Sequence, residues 1–370
     1  SMAIKFDILA KDGNARAGVI ETDHGLVHTP TITVNFTPAL LRSGLSASQL
    51  QELGVEMVLV NTLHTMMEGK MQAPDIHNQL GWSGPIFADS GGFQMVSLAK
   101  KMRVENDGIK FTWDDREYKI TPAQIVEWQK QMGVDLVMPL DRVWHLRQKN
   151  PLAYFQSVVT TEKWFRQSQN ISDNVFYIVQ GGLNKLARTF SLKYASRHLA
   201  KGIAGIAIGG LAFGESRPKM YQMIDFCLRK LPDNKPRHLL GVGEPVDLLE
   251  SIERGIDTFD CVSHTREARH GRLLTAQGYL RLRRAEYTND NSVIETDCDC
   301  PTCGAGVSRS ELRAGMKSVD STIRQKTLIS LMLHNIRFLM RLMEQSRAAI
   351  KTGNFNKFKR EFIAKFRRLN

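Results

Sequence analysis

Short apolar runs recur along the first 260 residues, and each run ends in polar residues or glycines. The runs cover residues 55–60, 86–87, 136–138, 175–179, 203–208, 239–242 and 258–259. Helical stretches separate them, such as 122–131, 152–169 and 245–254. This alternation predicts a parallel sheet whose strands are buried on both faces. About eight such units over about 250 residues predict a (β/α)₈ barrel (a TIM barrel), an α/β fold whose active site lies at the carboxyl ends of the strands.

The two ends of the chain depart from this pattern. Residues 4–36 alternate apolar and polar positions around three glycines, which predicts short antiparallel strands forming a lid or a floor of the barrel. We expect a catalytic barrel with these N-terminal strands over residues 1–284, and a zinc-binding helical C-terminal subdomain over residues 285–370. A doubly wound open sheet is the alternative, but no strand precedes a dinucleotide-binding glycine fingerprint.

Several acidic residues follow the apolar runs directly. Asp89 ends the run at 86–87 and precedes Ser90 and two glycines, Asp260 ends the run at 258–259, and Asp141 follows the run at 136–138. A single acid in such a place more often caps a helix or belongs to a loop. Acids that recur at strand ends indicate chemistry instead, because one carboxylate can attack an anomeric carbon while a second protonates the leaving group.

Three of the five cysteines lie within six residues, as Cys298-x-Cys300-x-x-Cys303, and His334 follows in a predicted helix. This spacing is too tight for a disulfide framework and is typical of a metal site. Three thiolates and one imidazole form a closed structural zinc set that leaves no position for water. We therefore predict structural Zn²⁺ bound by Cys298, Cys300, Cys303 and His334.

The composition of the chain indicates which class of partner it binds and which cellular compartment it occupies. The formal charge is +12, and basic clusters lie at 281–284 and 357–368, so a polyanionic partner is plausible. The chain is 42% hydrophobic and 24% charged, and no apolar run is long enough to cross a bilayer. No signal peptide opens the chain, and the cysteine usage suits a reducing environment, so a cytoplasmic location without membrane attachment is expected.

With these residues in place, the chain closely resembles the tRNA-guanine transglycosylase family, also called queuine tRNA-ribosyltransferase, from Phe6 to about Phe362. The family is a (β/α)₈ barrel with a zinc subdomain that usually acts as a homodimer. The segments that carry the resemblance are Asn61-Thr-x-His64, Asp89-Ser-Gly-Gly, Val137-Met-x-x-Asp141, Ile178-Val-Gln-Gly181, Ile208-Gly-Gly-Leu-Ala-x-Gly-Glu215, Gly241-Val-Gly243, Phe259-Asp-Cys261 and Cys298-x-Cys-x-x-Cys303.

The resemblance implies a reaction and a role for each matching residue. The family exchanges guanine at the tRNA anticodon wobble position for a 7-deazaguanine, a step of queuosine modification. Asp260 matches the nucleophile that forms a covalent ribosyl intermediate, and Asp89 matches the general acid/base. Arg266 and Arg269 match residues that contact the anticodon loop. The positions that match base-binding residues are Asn61, Ser90, Phe93, Asp141, Gln180, Gly210 and Leu211.

Departures from the family pattern concern the incoming base. Val143 stands two residues after the base-reading acid, where bacterial members carry Cys and queuine-using eukaryotic members carry Val. Phe213 replaces a small residue before Gly214, so the pocket near the 7-substituent is expected to be reshaped. Val143, Phe213 and Glu215 are therefore expected to set the specificity of the pocket. The base is therefore either 7-aminomethyl-7-deazaguanine or queuine.

Three other functions are compatible with parts of the sequence. A non-catalytic or divergent paralogue that binds tRNA would fit the pocket departures, but such partners typically lose a catalytic Asp. An enzyme that modifies DNA or another RNA would use the same residues. A glycoside hydrolase barrel would fit two acids, yet it assigns no role to the zinc cluster or the positive charge.

Overall fold

In a computed structural model of the chain, which describes residues 2–91, 102–143 and 150–367, eight parallel strands form one sheet that closes into a barrel. The strands are, in chain order, Thr31–Asn35, Val58–Asn61, Ile86–Asp89, Leu136–Val137, Phe176–Val179, Gly205–Ile208, Arg237–Leu239 and Thr258–Asp260. The first strand pairs with the last, and a parallel bridge from Val137 to Val175 joins the two remaining edges. The predicted (β/α)₈ barrel is confirmed.

Helices follow most of the strands and cover the outside of the barrel. Several begin where a polar side chain caps the first turn, as Thr121 does in a capping box with Gln124. The helices are Pro38–Arg42, Ala47–Glu52, Thr62–Glu68, Ile76–Leu80, Pro122–Gln131, Pro151–Ser168, Lys185–Leu199, Arg217–Leu228, Pro245–Arg254, Ser263–Arg269, Pro301–Gly304, Arg309–Met316, Ser321–Lys351 and Phe355–Phe366, with a 3₁₀ turn at Ala285–Tyr287.

Alternate residues of each barrel strand point to opposite sides of the sheet. One set packs under the helices, and the other set fills the barrel interior as a separate apolar cluster. The interior cluster consists of Ile20, Val27, Met57, Leu59, Phe87, Leu136, Met138, Phe176, Ile178, Ala204 and Ala207. Both faces of the strands are therefore buried, as the apolar runs predicted.

Three antiparallel strands at the N-terminus close the bottom of the barrel. They are Lys5–Asp12, Ala15–Thr22 and Gly25–Thr29, and two of their residues, Ile20 and Val27, belong to the interior cluster. The sheet is thus the floor that was one of the two predicted possibilities. The fourth strand of this region, Thr31–Asn35, is parallel and belongs to the barrel itself, which corrects the prediction of antiparallel strands throughout 4–36.

Two further sheets and the C-terminal helices complete the described part. Met102–Glu105, Gly108–Trp113 and Arg116–Ile120 form an antiparallel insertion, and Arg272–Thr275 pairs with Gly278–Arg281. The 31-residue helix Ser321–Lys351 buries an apolar stripe that includes Leu331, Met332, Ile336, Leu339 and Met340. Among the described residues, no helix combines the length and the apolar character that a bilayer crossing requires. The boundary at residue 284, between the catalytic barrel and the C-terminal subdomain, stays a prediction.

Candidate active site

A cavity of about 600 Å³ opens at the carboxyl ends of the barrel strands, and the three acids predicted at strand ends are among the residues that line it. Asp89 and Asp260 are the last residues of their strands, and Asp141 lies in the loop after Leu136–Val137. Inward-facing apolar residues are followed two positions later by inward-facing polar ones, as in Leu59 and Asn61 or Phe87 and Asp89. The period of the strands therefore places a polar layer on top of the apolar interior.

Asp89 is held by donors from the neighbouring strand and from its own loop. The Asn61 amide donates to both carboxylate oxygens at 3.2 Å, and the Gly91 N–H donates to Oδ1 at 2.7 Å. Part of its surface faces the cavity, yet desolvation by the surrounding protein raises the pKa of Asp89 to about 7. The charges of Asp260 and Asp141 raise this pKa further, against the two donors. Near neutral pH, this carboxyl group can therefore both hold and release a proton.

Asp141 is buried beside two polar side chains. The Gln180 amide donates to Oδ2 at 2.6 Å, and the Ser90 hydroxyl donates to Oδ1 at 3.5 Å. Burial raises the pKa of Asp141 to about 6, although both donors oppose the shift. A buried carboxylate next to a cavity can accept hydrogen bonds from the N–H groups of a planar ligand.

Asp260 has a different environment from the other two acids. His238 Nε2 lies 2.7 Å from Oδ1, and the Gly241 N–H donates to the same oxygen at 3.3 Å. The side chain is 14% exposed, and Asp260 lines the cavity. Both donors bind the same oxygen, Oδ1, and the carboxylate faces the cavity, as a nucleophile must.

The loop after Gly205–Ile208 forms another wall of the cavity. A Cβ at Gly209 or at Gly210 would lie 2.7 Å from the Gln180 amide, so only glycine lets this backbone approach Gln180. Glu215 folds back and accepts from the N–H groups of Ala212 and Phe213, which fixes the turn that carries Phe213.

Arg188 connects this loop to the neighbouring strand end from below. Its guanidinium is fully buried and donates to the carbonyl oxygens of Val179, Gly182 and Gly209 at 2.7–2.8 Å. It thereby fixes the backbone on both sides of Gln180. Arg188 could not be predicted from the sequence, because an arginine in a helix gives no signal that its head group is buried.

Most residues predicted for the site lie together, although their roles stay predictions. Three of them do not line the cavity. Gln180 donates to Asp141, Glu215 accepts from backbone N–H groups of the loop, and Arg269 lies exposed on the Ser263–Arg269 helix, one turn after Arg266. Phe93 lies outside the described residues. The predicted residues that line the cavity are Asn61, Asp89, Ser90, Asp141, Val143, Gly210, Leu211, Phe213, Asp260 and Arg266.

Away from the barrel rim, the side chains of Cys298, Cys300, Cys303 and His334 converge in a buried group that could hold a metal ion. The three sulfur atoms lie 3.4–3.5 Å from His334 Nδ1. A tetrahedral ion at the usual zinc–sulfur and zinc–nitrogen distances requires about 3.6 Å between these atoms. His334 Nε2 faces the Leu274 carbonyl oxygen at 2.7 Å, which leaves Nδ1 for the ion. The donor set and its spacing fit the predicted metal site.

In a second group of possible ligands, His24, His77 and Asp135, the polar atoms already have protein partners. The two imidazole rings stack at 3.8 Å, and both nitrogens of His77 face carbonyl oxygens. Asp135 pairs with His24 and accepts from the Ile86 N–H. These partners account for the cluster as a structural element.

Comparisons with known proteins agree with this geometry. The family model described as queuine tRNA-ribosyltransferase matches residues 11–368. A queuine tRNA-ribosyltransferase of Dictyoglomus turgidum is 35% identical over 385 residues, covering 98% of this chain and 95% of the relative. The protein with the same name in Caldanaerobacter subterraneus is 36% identical, with 98% of both chains covered. The one in Pelotomaculum thermopropionicum is 37% identical, with 99% of both covered.

The raised pKa of Asp89 predicts a pH-dependent stability. An aspartate in the unfolded chain titrates near about pH 4, whereas folded Asp89 titrates at about 7. Between these values the folded state binds the extra proton, so the free energy of unfolding falls as pH rises and stays lower above pH 7. Asp89→Asn should remove this loss. The free energy of unfolding of the variant, relative to that of the original chain, should therefore be about 2–4 kcal/mol higher at pH 8 than at pH 4.

Urea unfolding of both proteins from pH 4 to pH 8 measures this difference. Asp115→Asn, at an exposed turn acid, is the matched control and should follow the original chain at every pH. Parallel stability curves for Asp89→Asn and the original chain would contradict the assignment of the proton to Asp89.

Proposed function

The chain belongs to the queuine tRNA-ribosyltransferase family, and from that membership we propose that it is an active tRNA-guanine transglycosylase. In this proposal it exchanges guanine at the anticodon wobble position for a 7-deazaguanine, as part of queuosine modification. The observation that carries the proposal is that Asp89, Asp141 and Asp260 line one cavity at the carboxyl ends of the strands.

The reaction begins with attack by the Asp260 carboxylate on C1′ of the ribose. A C–O bond forms, the C1′–N9 bond breaks, and the electron pair of that bond leaves with guanine. Asp89, whose pKa of about 7 lets it hold a proton near neutral pH, donates this proton to the departing base. The product of this half-reaction is a ribosyl ester of Asp260.

The second half-reaction reverses these transfers with a different base. Asp89 accepts the N9 proton of the incoming 7-deazaguanine, and N9 attacks C1′ while the ester C–O bond breaks. Asp260 returns to a carboxylate and Asp89 returns to its protonated form. Because the two bases occupy the same place in turn, the site must read features that both share.

The shared features are the hydrogen-bonding edge and the flat face of the base. Asp141 and Gln180, together with Ser90 and the Gly210-Leu211 backbone, are proposed to bind the edge, with Phe93 as the stacking residue and Asn61 orienting Asp89. To reach the cavity, the wobble nucleotide must swing out of the anticodon loop.

Positive charge near the cavity supports the binding of tRNA. Arg266 lines the cavity and Arg269 lies exposed on the same helix, and we propose that both contact the anticodon loop. The net charge of +12 adds a sequence-independent attraction. We further propose a homodimer, as the family resemblance implies, and a cytoplasmic location, as the cysteine usage indicates.

Zinc is the proposed ion of the Cys298, Cys300, Cys303 and His334 group. The set of three thiolates and one imidazole has no open coordination position, so zinc there stabilises the fold and takes no part in the reaction.

The incoming base is proposed to be 7-aminomethyl-7-deazaguanine or queuine, and Phe213 and Val143 are proposed to decide between them. Both residues line the cavity. Glu215 holds the backbone N–H of Phe213, so the ring projects from a fixed turn.

Asp260→Ala should abolish both guanine exchange and the covalent RNA adduct, lowering exchange by at least about 10³-fold. The adduct is trapped by rapid denaturation and seen as a protein–RNA band in a denaturing gel. Asp247→Asn is the control, since this acid lies in the same cavity wall but pairs with Tyr221. An undiminished adduct in Asp260→Ala would remove Asp260 as the nucleophile. No exchange by the original chain would favour the non-catalytic or divergent paralogue.

The purified protein should contain roughly one zinc ion per chain, and Cys303→Ser should lose it and melt at a lower temperature. Metal content is measured by inductively coupled plasma mass spectrometry. Cys227→Ala, at a buried thiol outside the metal group, should retain the zinc. Full zinc content in Cys303→Ser would argue against the proposed ligand set.

Phe213→Gly should widen the pocket and raise the rate with queuine relative to 7-aminomethyl-7-deazaguanine by about tenfold or more. Competition between the two bases for one tRNA measures this ratio. Phe213→Tyr keeps the ring and should leave the ratio close to its original value. An unchanged ratio in Phe213→Gly would mean that the ring does not contact the 7-substituent.

A further inference from the structure

His238 contacts the proposed nucleophile, yet the reaction described above gives it no role. We propose that His238 is the positioning residue of Asp260: it binds Oδ1 of the carboxylate, so that Oδ2 attacks C1′ and Oδ1 receives negative charge when the ester is cleaved. This inference rests on the proposed function and adds a residue that determines how Asp260 works.

The register of two neighbouring strands brings these groups together. Thr258 and Asp260 lie two residues apart on one strand, so both face the barrel interior. His238 is paired directly opposite Thr258 on the adjacent parallel strand. Its ring spans the two inward positions: Nδ1 lies 2.7 Å from Thr258 Oγ1, and Nε2 lies 2.7 Å from Asp260 Oδ1. One imidazole can therefore contact, through its two nitrogens, two side chains that lie two residues apart on the same face of the neighbouring strand.

The direction of the hydrogen bonds follows from the chemistry of the partners. An ionised carboxylate only accepts, so Nε2 carries the hydrogen that is shared with Asp260. The Thr258 hydroxyl can donate to an unprotonated Nδ1 or accept from a protonated one. In either state of the ring, the bond to Asp260 runs from histidine to aspartate.

The ring has no freedom to turn away from these partners. His238 is fully buried, and it stacks on Phe87 with 4.5 Å between ring centroids and 18° between planes. Phe87 lies two residues before Asp89 on its strand. The stacked pair therefore connects the strand that ends in the acid/base to the residue that holds the nucleophile.

The two oxygens of Asp260 are made unequal by this contact. Oδ1 accepts from His238 and from the Gly241 N–H, whereas no residue within 2–91, 102–143 or 150–367 forms a hydrogen bond with Oδ2. Attack through Oδ2 makes Oδ1 the carbonyl oxygen of the ribosyl ester. When the incoming N9 displaces Asp260, the electron pair of the C1′–Oδ2 bond returns to the carboxylate. Donors on Oδ1 stabilise that developing charge more than they stabilise the neutral ester.

Loss of the donor should therefore slow breakdown of the covalent adduct. Two amide substitutions separate this role from a merely structural one. His238→Gln places an amide nitrogen near the position of Nε2, and His238→Asn places one near the position of Nδ1. Both are polar and smaller than histidine, but only glutamine should reach Asp260.

The experiment is a single-turnover reaction in which the adduct with tRNA is formed first and 7-deazaguanine base is then added. His238→Asn and His238→Phe should break down the adduct about 10- to 100-fold more slowly, while the KM for tRNA changes little. His238→Gln should recover most of the rate. His198→Gln, at a buried histidine paired with Glu162 and absent from the cavity wall, should behave as the original chain.

Equal breakdown rates in His238→Gln and His238→Asn, or breakdown at the original rate in His238→Phe, would overturn the role of His238. If the two amide variants differ in adduct breakdown but share one melting temperature, loss of folding is excluded as the cause. Absence of any adduct with the original chain would instead overturn the proposed function, and the inference with it.

Discussion

Mutual repulsion among carboxyl groups in one cavity is the constraint around which the site is built. Asp89, Asp141 and Asp260 lie at the end of the same barrel, and the charges of the other two raise the pKa of Asp89. Three ionised acids at this density would destabilise one another, so the site is stable near neutral pH only if protonation is shared unequally. A group that retains a proton is then available as an acid, and a group that has lost its proton can serve as a nucleophile or a hydrogen-bond acceptor.

The hydrogen-bond donors around each acid, together with its burial, decide how readily that acid holds a proton. Asp260 receives two donors on one oxygen, Asp141 receives the Gln180 amide, and Asp89 receives two long amide contacts and one backbone N–H. At Asp89 and Asp141, desolvation outweighs these donors and raises the pKa of the carboxyl group. Three residues of one type thus acquire separate tasks from their surroundings.

The order of the elements and the acids at the strand ends could be predicted from the sequence, because parallel strands buried on both faces leave apolar runs that end where the backbone reaches the rim. The metal group was equally predictable, since three cysteines within six residues are too close together for a disulfide framework. Thr31–Asn35 was misassigned because its threonines alternate with apolar residues, although Thr31 and Thr33 are buried. His238 was missed because the predicted run began at residue 239, and its partner lies 22 residues away. Only the pairing of the Arg237–Leu239 and Thr258–Asp260 strands puts these groups in contact.

The four residues 257–260 join the stability of the barrel to the geometry of the site. Asp257 accepts from buried Arg16 of the floor and from the backbone N–H of Arg237, the residue before His238. Phe259 packs under the helices, so Thr258 and Asp260 must face inward. The Asp257–Arg237 bond fixes the register between the two strands, and that register sets His238 opposite Thr258 and within reach of Asp260. A one-residue slip would turn Asp260 out of the cavity, and the buried ion pair between Arg16 and Asp257 holds the strand immediately below it.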